Sequence, residues 1–449
     1  MYSSVSITPL GGSLSPRFRL YSLHMKTLLL AAGRSRRVKP IEDKNFLKFA
    51  GRTLLEHQLD TLKRVGLTDI LIVGGAHNRA RLEALGQPYG AKILVQENLD
   101  EGMAGAVLAA EKELAPGETL LIVSSNDVLA QSAFELVMKA QESSAEAYLL
   151  AYEVSEYFPG GYLKVDGTRI TGIVEKPTPG EEPSKLVNIV VHAFKTPAKL
   201  FDALRAVSTD RDDRYEVALQ NLMSAQHFEA VPYSGFWQPI KFPWHVLDLM
   251  QFSFKMMGSR IHPSAQIAES AIIKGDVVIE EGVKVFDHAV IQGPAYIGKN
   301  SVIANNALVR ESMIGDRCVV GFSTEIARSF IGDDCWFHTN YVGDTVMGND
   351  VSFGAGAICA NLRLDEAEIG TSKRNKMGPV FGDHIRIGVQ TSLMPGVCVG
   401  SNTMITSGLV IAQDIEPNKF VTGKIELTIK DNKAVLSQES RQGMKEKLK

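Results

Sequence analysis

The sequence predicts an α/β Rossmann-like domain followed by an all-β left-handed parallel β-helix. Three observations support this fold class. Short apolar runs alternate with helical patterns in the first half, an apolar residue recurs at every sixth position from Ile261 onward, and the 449-residue chain is long enough for at least two domains. We expect a disordered N-terminal extension over 1–24, the α/β domain over 25–258, the β-helix over 259–424 and a charged C-terminal tail over 425–449.

The α/β domain is predicted from apolar runs that have the length of buried strands. These runs are Thr27–Ala32, Asp69–Gly74, Ile93–Gln96 and Leu120–Val123. Between the first two runs, Leu55, Leu59 and Leu62 fall at helical spacing, and Gly66 stands where a helix would end. A strand, a helix and a second strand in this order predict parallel βαβ units.

The β-helix is predicted from a six-residue period. The apolar positions are Ile261, Ile267, Ile273, Ile279, Val285, Ile291, Ile297, Ile303 and Val309, and the period returns at Ile387, Leu393, Val399, Ile405 and Ile411. A hexapeptide repeat forms a triangular prism in which three hexapeptides complete one coil and the apolar side chains point inward. The polar segment Asp365–Met377 interrupts the pattern, and we expect it to loop out of the coil.

Composition excludes several classes of function. The 48 Lys and Arg residues nearly balance 51 Asp and Glu residues, and the net charge of −3 gives no electrostatic footprint for nucleic acid. Apolar runs are too short for membrane insertion, and the first 24 residues lack the apolar core of a secretory signal. The four cysteines form no CxxC pair, which is typical of free thiols in a reducing compartment. We therefore expect a cytoplasmic protein.

A phosphate-binding turn is predicted directly after the first strand. Residues Leu30–Arg37 read Leu-Ala-Ala-Gly-Arg-Ser-Arg-Arg, and such a turn offers backbone N–H groups and guanidinium groups to phosphates. The segment resembles the signature of the sugar-1-phosphate nucleotidyltransferase superfamily, Leu-Ala-Ala-Gly-x-Gly-x-Arg followed by a Lys. The resemblance implies substrate binding at Ala32 and Gly33, and catalytic roles for Arg37 and Lys44.

Further segments match the same superfamily in order along the chain. The resemblance implies base recognition by Gln96 and Gly102, Mg²⁺ binding by Asp127, and sugar binding by Gly161, Glu175 and Asn188. The implied reaction is attack by a sugar-1-phosphate oxygen on the α-phosphorus of UTP or dTTP, with release of pyrophosphate. Enzymes perform such phosphoryl transfers mainly by positioning the reactants and neutralising their charge.

A second candidate site lies in the β-helix. The segment His338–Asp344, with Asn361 downstream, resembles the acetyltransferase half of the archaeal-type bifunctional N-acetylglucosamine-1-phosphate uridylyltransferases. An ammonium group has no lone pair, so N-acetylation needs a base that titrates near neutral pH, such as histidine. The resemblance implies His338 as general base and acetyl-CoA as co-substrate. Tyr341 and Asn361 are expected to bind the amino-sugar phosphate or to orient the thioester carbonyl. Lys373 or Lys376 is a candidate for a further cation.

The resemblance also implies a closed homotrimer. Two alternatives to a bifunctional enzyme stay open, because the chain departs from the family patterns at Ser35, Lys241 and Ala367. One alternative is a nucleotidyltransferase whose β-helix serves only assembly or regulation. The other is a non-catalytic subunit that binds a nucleotide-sugar.

Overall fold

A computed structural model describes residues 25–424, 426–431, 442–443 and 445–447. The extension predicted over 1–24 and most of the charged tail predicted over 425–449 lie outside the described residues. Across the described ranges, no helix has the length and apolar character needed to cross a membrane.

The first domain combines a large mixed sheet with helices on both faces. Its strands are β1 (Met25–Leu30), β2 (Lys48–Phe49), β3 (Arg52–Thr53), β4 (Ile70–Gly74), β5 (Lys92–Val95), β6 (Thr119–Ser124), β7 (Asp127–Leu129), β8 (Ala147–Glu153), β9 (Gly161–Asp166), β10 (Arg169–Glu175), β11 (Leu186–Phe194), β12 (Phe228–Tyr233) and β13 (Trp237–Pro239). Its α-helices are α1 (Leu54–Arg64), α2 (Arg79–Gly86), α3 (Gly102–Leu108), α4 (Gln131–Ala140), α5 (Pro197–Ala206), α6 (Arg214–Ala225) and α7 (Trp244–Met257).

The strand order of the large sheet is β5-β4-β1-β6-β11-β8-β12-β10-β9. Strand β1 runs parallel to both β4 and β6, as the sequence predicts, whereas β11 runs antiparallel to β6 and β8. The chain first winds from β1 to β4 and later returns to the other side of β1. In open α/β sheets, ligands bind at the carboxyl ends of the strands at such a switch point.

Helix α1 forms as its sequence predicts. Thr53 and Glu56 form a capping box at its start, and Leu55, Leu59 and Leu62 are fully buried against the sheet. Gly66 follows the helix with a φ of +86°, a conformation that glycine adopts at low cost. Local capping and apolar spacing therefore fix both ends of this helix and the face that it buries.

The second domain is a parallel β-helix with three sheets, here called faces 1, 2 and 3. Face 1 contains Arg260–Ile261, Val277–Ile279, Ala295–Ile297, Met313–Ile314, Phe330–Ile331, Val346–Met347, Val380–Phe381 and Cys398–Val399. Face 2 contains Gln266–Ile267, Lys284–Val285, Val302–Ile303, Val319–Val320, Trp336–Phe337, Val351–Phe353, Ile385–Ile387, Met404–Ile405 and Phe420–Val421. Face 3 contains Ile272–Lys274, Val290–Gln292, Leu308–Arg310, Glu325–Ala327, Tyr341–Gly343, Ile358–Cys359, Ser392–Leu393 and Val410–Ile411.

The apolar period predicted for the β-helix is confirmed by the pairing of successive coils. Ile279 pairs with Ile297 one coil later, and both side chains are buried inside the prism. Later coils are shorter, since Phe330 pairs with Val346, and this shortening hides the period between Val309 and Ile387. One coil is interrupted after Cys359, and the chain rejoins the prism at Val380, as the polar segment predicts.

The first domain covers face 1 of the β-helix. Outward side chains of this face, among them Tyr296 and Phe330, share an apolar cluster with Phe49 and with α7. At the edge of the contact, Lys48 donates to Asp316 and Asp333 at 3.1 and 2.6 Å. Face 1 is therefore the side of the β-helix that packs against the first domain.

Candidate functional sites

The first site begins at the turn that follows β1. Ala32 is buried, whereas the backbone of Gly33 is exposed and a Cβ built on it would meet no atom within 4 Å. The space above Gly33 is therefore open to a ligand. Ser35 has a φ of +50°, a backbone conformation that favours glycine, and its Oγ accepts a hydrogen bond from the backbone N–H of Lys44. The serine at the motif's glycine position thus connects the turn to Lys44.

Lys44 is held in a buried position below this turn. Asp43 caps the short helix Lys44–Phe46 by accepting from the N–H of Asn45, and its second oxygen accepts from Asn78. The Nζ of Lys44 donates to the carbonyl of Ile240 at 2.8 Å. Burial lowers the pKa of Lys44 to about 8, although the charge of Asp127 opposes this shift.

Asp127 begins β7 just beyond the carboxyl end of β6, beside the turn after β1. Its Oδ1 accepts from the indole N–H of Trp237 at 2.8 Å, and the pairing of β7 with β13 places Pro239 opposite it. The charge of Asp127 raises the pKa of Lys44 and the charge of Arg37 lowers it, so both side chains lie near Lys44. The structure therefore brings together the three residues that the sequence assigns to phosphate and metal binding.

Lys241 belongs to the same site, which sequence reasoning missed. Its Nζ donates to the carbonyl of Pro159 at 2.8 Å and lies 3.8 Å from the centre of the Phe158 ring. Burial lowers the pKa of Lys241 to about 8, with Asp127 raising it and Arg37 lowering it further. The departure of this position from the family pattern was the only sequence signal. Lys44 and Lys241 are therefore both buried near the charges of Asp127 and Arg37.

The donor set around Asp127 bears on the predicted Mg²⁺. In the described part of the chain, no group of three His, Cys, Asp or Glu side chains is arranged to hold a metal ion. Mg²⁺ is commonly bound by one or two carboxylates together with substrate phosphates. Asp127 therefore fits an ion whose remaining ligands come from a bound triphosphate.

The residues with predicted sugar contacts lie on neighbouring strands. Glu175 pairs with Gly161 across β10 and β9, and Val187, next to Asn188, pairs with Tyr162 on β9. A Cβ on Gly161 would approach the carboxylate of Glu175 to 3.1 Å, so a larger residue would crowd the pocket.

Two further side chains bear on the charge around Gly161 and Glu175. Glu175 forms an ion pair with Lys176 at 2.6 Å. Burial, with Glu175 nearby, raises the pKa of Glu216 to about 7. The two carboxyl groups therefore differ, because Glu175 is paired with a lysine whereas Glu216 is buried.

Gln96 and Gly102 form the segment with predicted base contacts. The amide Nε2 of Gln96 donates to the carbonyls of Asn98 and Gly102, both at 2.9 Å. Gly102 has a φ of +55°, and a Cβ there would lie 2.4 Å from Asp212. Gln96 is buried, and its amide nitrogen holds the turn that carries Gly102.

The second site contains a hydrogen-bonded cluster at face 3. The Nδ2 of Asn361 donates to the Tyr341 hydroxyl at 3.2 Å and to the carboxylate of Asp344. Arg328 forms a two-pronged ion pair with the same carboxylate, with both distances 2.7 Å. Tyr341 and Asn361 therefore lie together in one cluster. Arg328 and Asp344 belong to the same cluster, although neither was a site residue predicted from the sequence. Arg328 lies in the preceding coil, so only the coil register reveals it.

His338 lies apart from this cluster, at the corner between faces 2 and 3. Its ring is exposed, and within the described residues it forms no side-chain hydrogen bond to Tyr341 or Asn361. Its backbone N–H donates to the side chain of Asn340 at 2.7 Å, and Asn340 is buried. In a single chain, His338 is therefore exposed and does not join the hydrogen-bonded cluster of Tyr341 and Asn361.

The chain between Cys359 and Val380 carries the predicted cation. Lys376 lines an open cleft whose other walls are Arg328, Asp344, Glu368, Lys373, Arg374 and Asn375. The segment also reaches the first domain, because Lys373 pairs with Glu156 at 2.9 Å and Arg374 pairs with Asp248. Basic side chains therefore converge on one edge of the Asn361 cluster.

Comparisons with known proteins match both halves of the chain. The family model described as the MobA-like NTP transferase domain matches residues 27–228, and that of the GMPPB C-terminal domain matches residues 257–377. A bifunctional protein GlmU of Methanococcus vannielii is 31% identical over 427 residues, which covers 90% of this chain and 99% of the relative. A bifunctional sugar-1-phosphate nucleotidylyltransferase/acetyltransferase of Sulfurisphaera tokodaii is 29% identical over 414 residues, with 88% and 99% covered.

Proposed function

This chain belongs to the family of bifunctional GlmU proteins, and we propose that it acetylates an amino-sugar-1-phosphate with acetyl-CoA and then couples the product to UTP or dTTP. The observation that supports this proposal most strongly is that two buried lysines, Lys44 and Lys241, lie near both Asp127 and Arg37 at the switch point of the sheet. Such a site suits a triphosphate, and the β-helix adds a separate polar site on the same chain.

In the nucleotidyl transfer, the protein's residues offset charge and position the sugar. Arg37, Lys44 and Lys241 would neutralise the triphosphate and the pyrophosphate that leaves. Gly161, Glu175 and Asn188 would hold the sugar so that its phosphate oxygen faces the α-phosphorus. Asp127 would hold Mg²⁺ together with phosphate oxygens, and the ion would supply further charge neutralisation.

In the acetyl transfer, the exposed imidazole of His338 would take a proton from the substrate ammonium. The amine nitrogen would then attack the thioester carbonyl, and it would lose a second proton as the tetrahedral intermediate collapses. One of the two protons would go to the CoA sulfur, so that CoA leaves as the thiol, and the other would be released to solvent. The amide nitrogen of Asn361 is directed at Asp344 and Tyr341, so its carbonyl oxygen is available to the substrate amine. Lys376 suits the phosphate of the amino-sugar, because Arg328, Lys373 and Arg374 in the same cleft already pair with carboxylates.

We further propose a homotrimer built on the corner between faces 2 and 3. This part of the β-helix exposes large apolar side chains, whereas face 1 is already covered. These side chains are Phe286, Phe322, Trp336, Ile358, Val389 and Val410. Because His338 lies at the same corner, a neighbouring copy would complete the acetyl-transfer site around it.

The proposal is tested with two variants and two assays. Asp127→Asn should abolish pyrophosphate release and preserve release of the CoA thiol, and His338→Ala should do the reverse. His262→Ala, which removes a histidine from the first coil, serves as the matched control. Pyrophosphate release should also require Mg²⁺, whereas acetyl transfer should resist EDTA.

Other outcomes would contradict parts of the proposal. If both variants were folded yet each lost both activities, the two sites would not be separate. Wild-type protein that releases only pyrophosphate would favour a β-helix used for assembly. Binding of a nucleotide-sugar without either activity would favour the non-catalytic subunit. Pyrophosphate release in EDTA would contradict the role given to Asp127.

A further inference from the structure

A chain of two buried hydrogen bonds lies behind Asn188. The Nε2 of His192 lies 2.8 Å from the Oδ1 of Asn188, and its Nδ1 lies 2.8 Å from the hydroxyl of Tyr215. His192 is fully buried, Tyr215 is 1% exposed, and the two rings stack at a centroid distance of 5.8 Å. Both rings therefore lie in the interior while Asn188 stands at its edge.

A bulge in β11 makes the contact between Asn188 and His192 possible. In a regular strand, residues four apart are about 13 Å from one another, which is too far for their side chains to hydrogen bond. In β11, however, Ile189 pairs with Leu150 while His192 pairs with the very next residue of β8, Leu149. The two extra residues shorten the strand locally. The irregular backbone thus serves to bring the imidazole against the amide.

The protonation states in this chain of hydrogen bonds follow from burial. Burial lowers the pKa of His192 to about 3, so the ring is neutral and carries one proton. Burial also raises the pKa of Tyr215 well above its usual range, so its hydroxyl keeps its proton. Because the Oδ1 of Asn188 can only accept, Nε2 carries the ring proton and donates it. Nδ1 then accepts from the Tyr215 hydroxyl.

We infer that His192 and Tyr215 are positioning residues that hold the amide of Asn188 with its nitrogen toward the sugar pocket. The pocket then presents an N–H donor to an acceptor oxygen of the sugar, beside Gly161 and Glu175. This inference rests on the proposed function, since it takes the sugar-1-phosphate as the ligand of Asn188. Neither His192 nor Tyr215 touches the substrate, and both act through Asn188.

Tyr215→Phe tests the inference because it removes only the hydroxyl. Without that donor, no partner fixes the tautomer of His192, and the Asn188 amide loses its single orientation. We expect the KM for the sugar-1-phosphate to rise about three- to tenfold, as for the loss of one hydrogen bond, with kcat and the KM for the nucleotide nearly unchanged. Calorimetric titration with the sugar-1-phosphate alone should show the same loss of affinity.

Tyr148→Phe is the matched control, because Tyr148 is equally buried in the same domain and its hydroxyl donates to the carbonyls of Ser143 and Ala145. It should lower the melting temperature without changing sugar affinity. A second variant, Asn188→Asp, keeps the acceptor for His192 and replaces the outward donor by an oxygen. It should weaken sugar binding even if Tyr215→Phe does not fold.

Three results would overturn the inference. They are unchanged sugar affinity in folded Tyr215→Phe, an equal loss of affinity in Tyr148→Phe, and Asn188→Asp that binds the sugar as tightly as wild type. Failure of the proposed function is distinguished by the wild-type protein, which would then release no pyrophosphate. Calorimetry would still compare the sugar affinities of wild type and variants in that case.

Discussion

Replacing Lys44 by Met should stabilise the protein at neutral pH and remove most of its pyrophosphate release. Burial lowers the pKa of this lysine from 10.5 to about 8, and each pKa unit corresponds to about 1.4 kcal/mol. The buried charge therefore costs roughly 3 kcal/mol of folding free energy at pH 7. Methionine removes this cost but leaves the carbonyl of Ile240 without its donor, which costs about 1–2 kcal/mol. The net gain should be about 1–2 kcal/mol.

The pH dependence of this stability difference has a definite sign. Below pH 8, Lys44 is charged in both the folded and the unfolded states, so the full cost is present. Between pH 8 and 10.5 the folded protein binds fewer protons than the unfolded chain, and wild-type stability rises with pH. The advantage of Lys44→Met should therefore shrink as the pH rises from 8 to 10.5.

The activity of Lys44→Met should fall about 100- to 1000-fold, the usual effect of removing one preorganised donor to developing charge. Urea unfolding at pH 7 and pH 9.5 measures the stability difference, and a pyrophosphate assay at pH 7 measures the rate. Lys63→Met, at an exposed position of α1, is the control and should change neither. A folded Lys44→Met variant with lower stability and normal pyrophosphate release would refute the reasoning and make Lys44 a structural residue.

Three further predictions follow from the two sites. Because burial lowers the pKa of both Lys44 and Lys241 to about 8, kcat/KM for nucleotidyl transfer should fall as the pH rises through 8, and a flat profile up to pH 10 would contradict their shared role. His338→Ala should lower the rate of acetyl transfer by about two to four orders of magnitude. The rate should partly recover at higher pH, where the substrate amine is neutral. A loss of thermal stability without a loss of rate would indicate a structural histidine. Phe322→Asp should reduce the mass in solution from trimer to monomer, as measured by light scattering, and an unchanged mass would exclude this corner as the interface.

The regular parts of the fold could be predicted from the sequence because local patterns determine them. The spacing of Leu55, Leu59 and Leu62 gives α1, and the six-residue period gives the coils of the β-helix. In both cases the signal lies within a few residues of the structure that it predicts. The same holds for the turn after β1, whose motif places Gly33 beside an open space.

The long-range parts of the site had no comparable local signal. Arg328 contacts Asp344 only because the coils stack at a shortened interval. Lys241 lies near the charge of Asp127 only because β13 pairs with β7. The bulge that brings His192 to Asn188 is likewise a property of the pairing between β11 and β8. These contacts depend on register, which no single segment specifies.

The central claim is that one chain acetylates an amino-sugar-1-phosphate and then couples the product to a nucleotide. The most direct measurement supplies purified protein with glucosamine-1-phosphate and either UTP or dTTP, with and without acetyl-CoA, while CoA thiol and pyrophosphate are followed separately. Parallel reactions replace the amino-sugar by N-acetylglucosamine-1-phosphate, and the galactosamine pair is run in the same way. We expect pyrophosphate release from the amino-sugar to require acetyl-CoA and to follow CoA release, whereas release from the N-acetylated sugar should require neither. Equal pyrophosphate release from the amino-sugar without acetyl-CoA, or no CoA release from any amino-sugar, would contradict it.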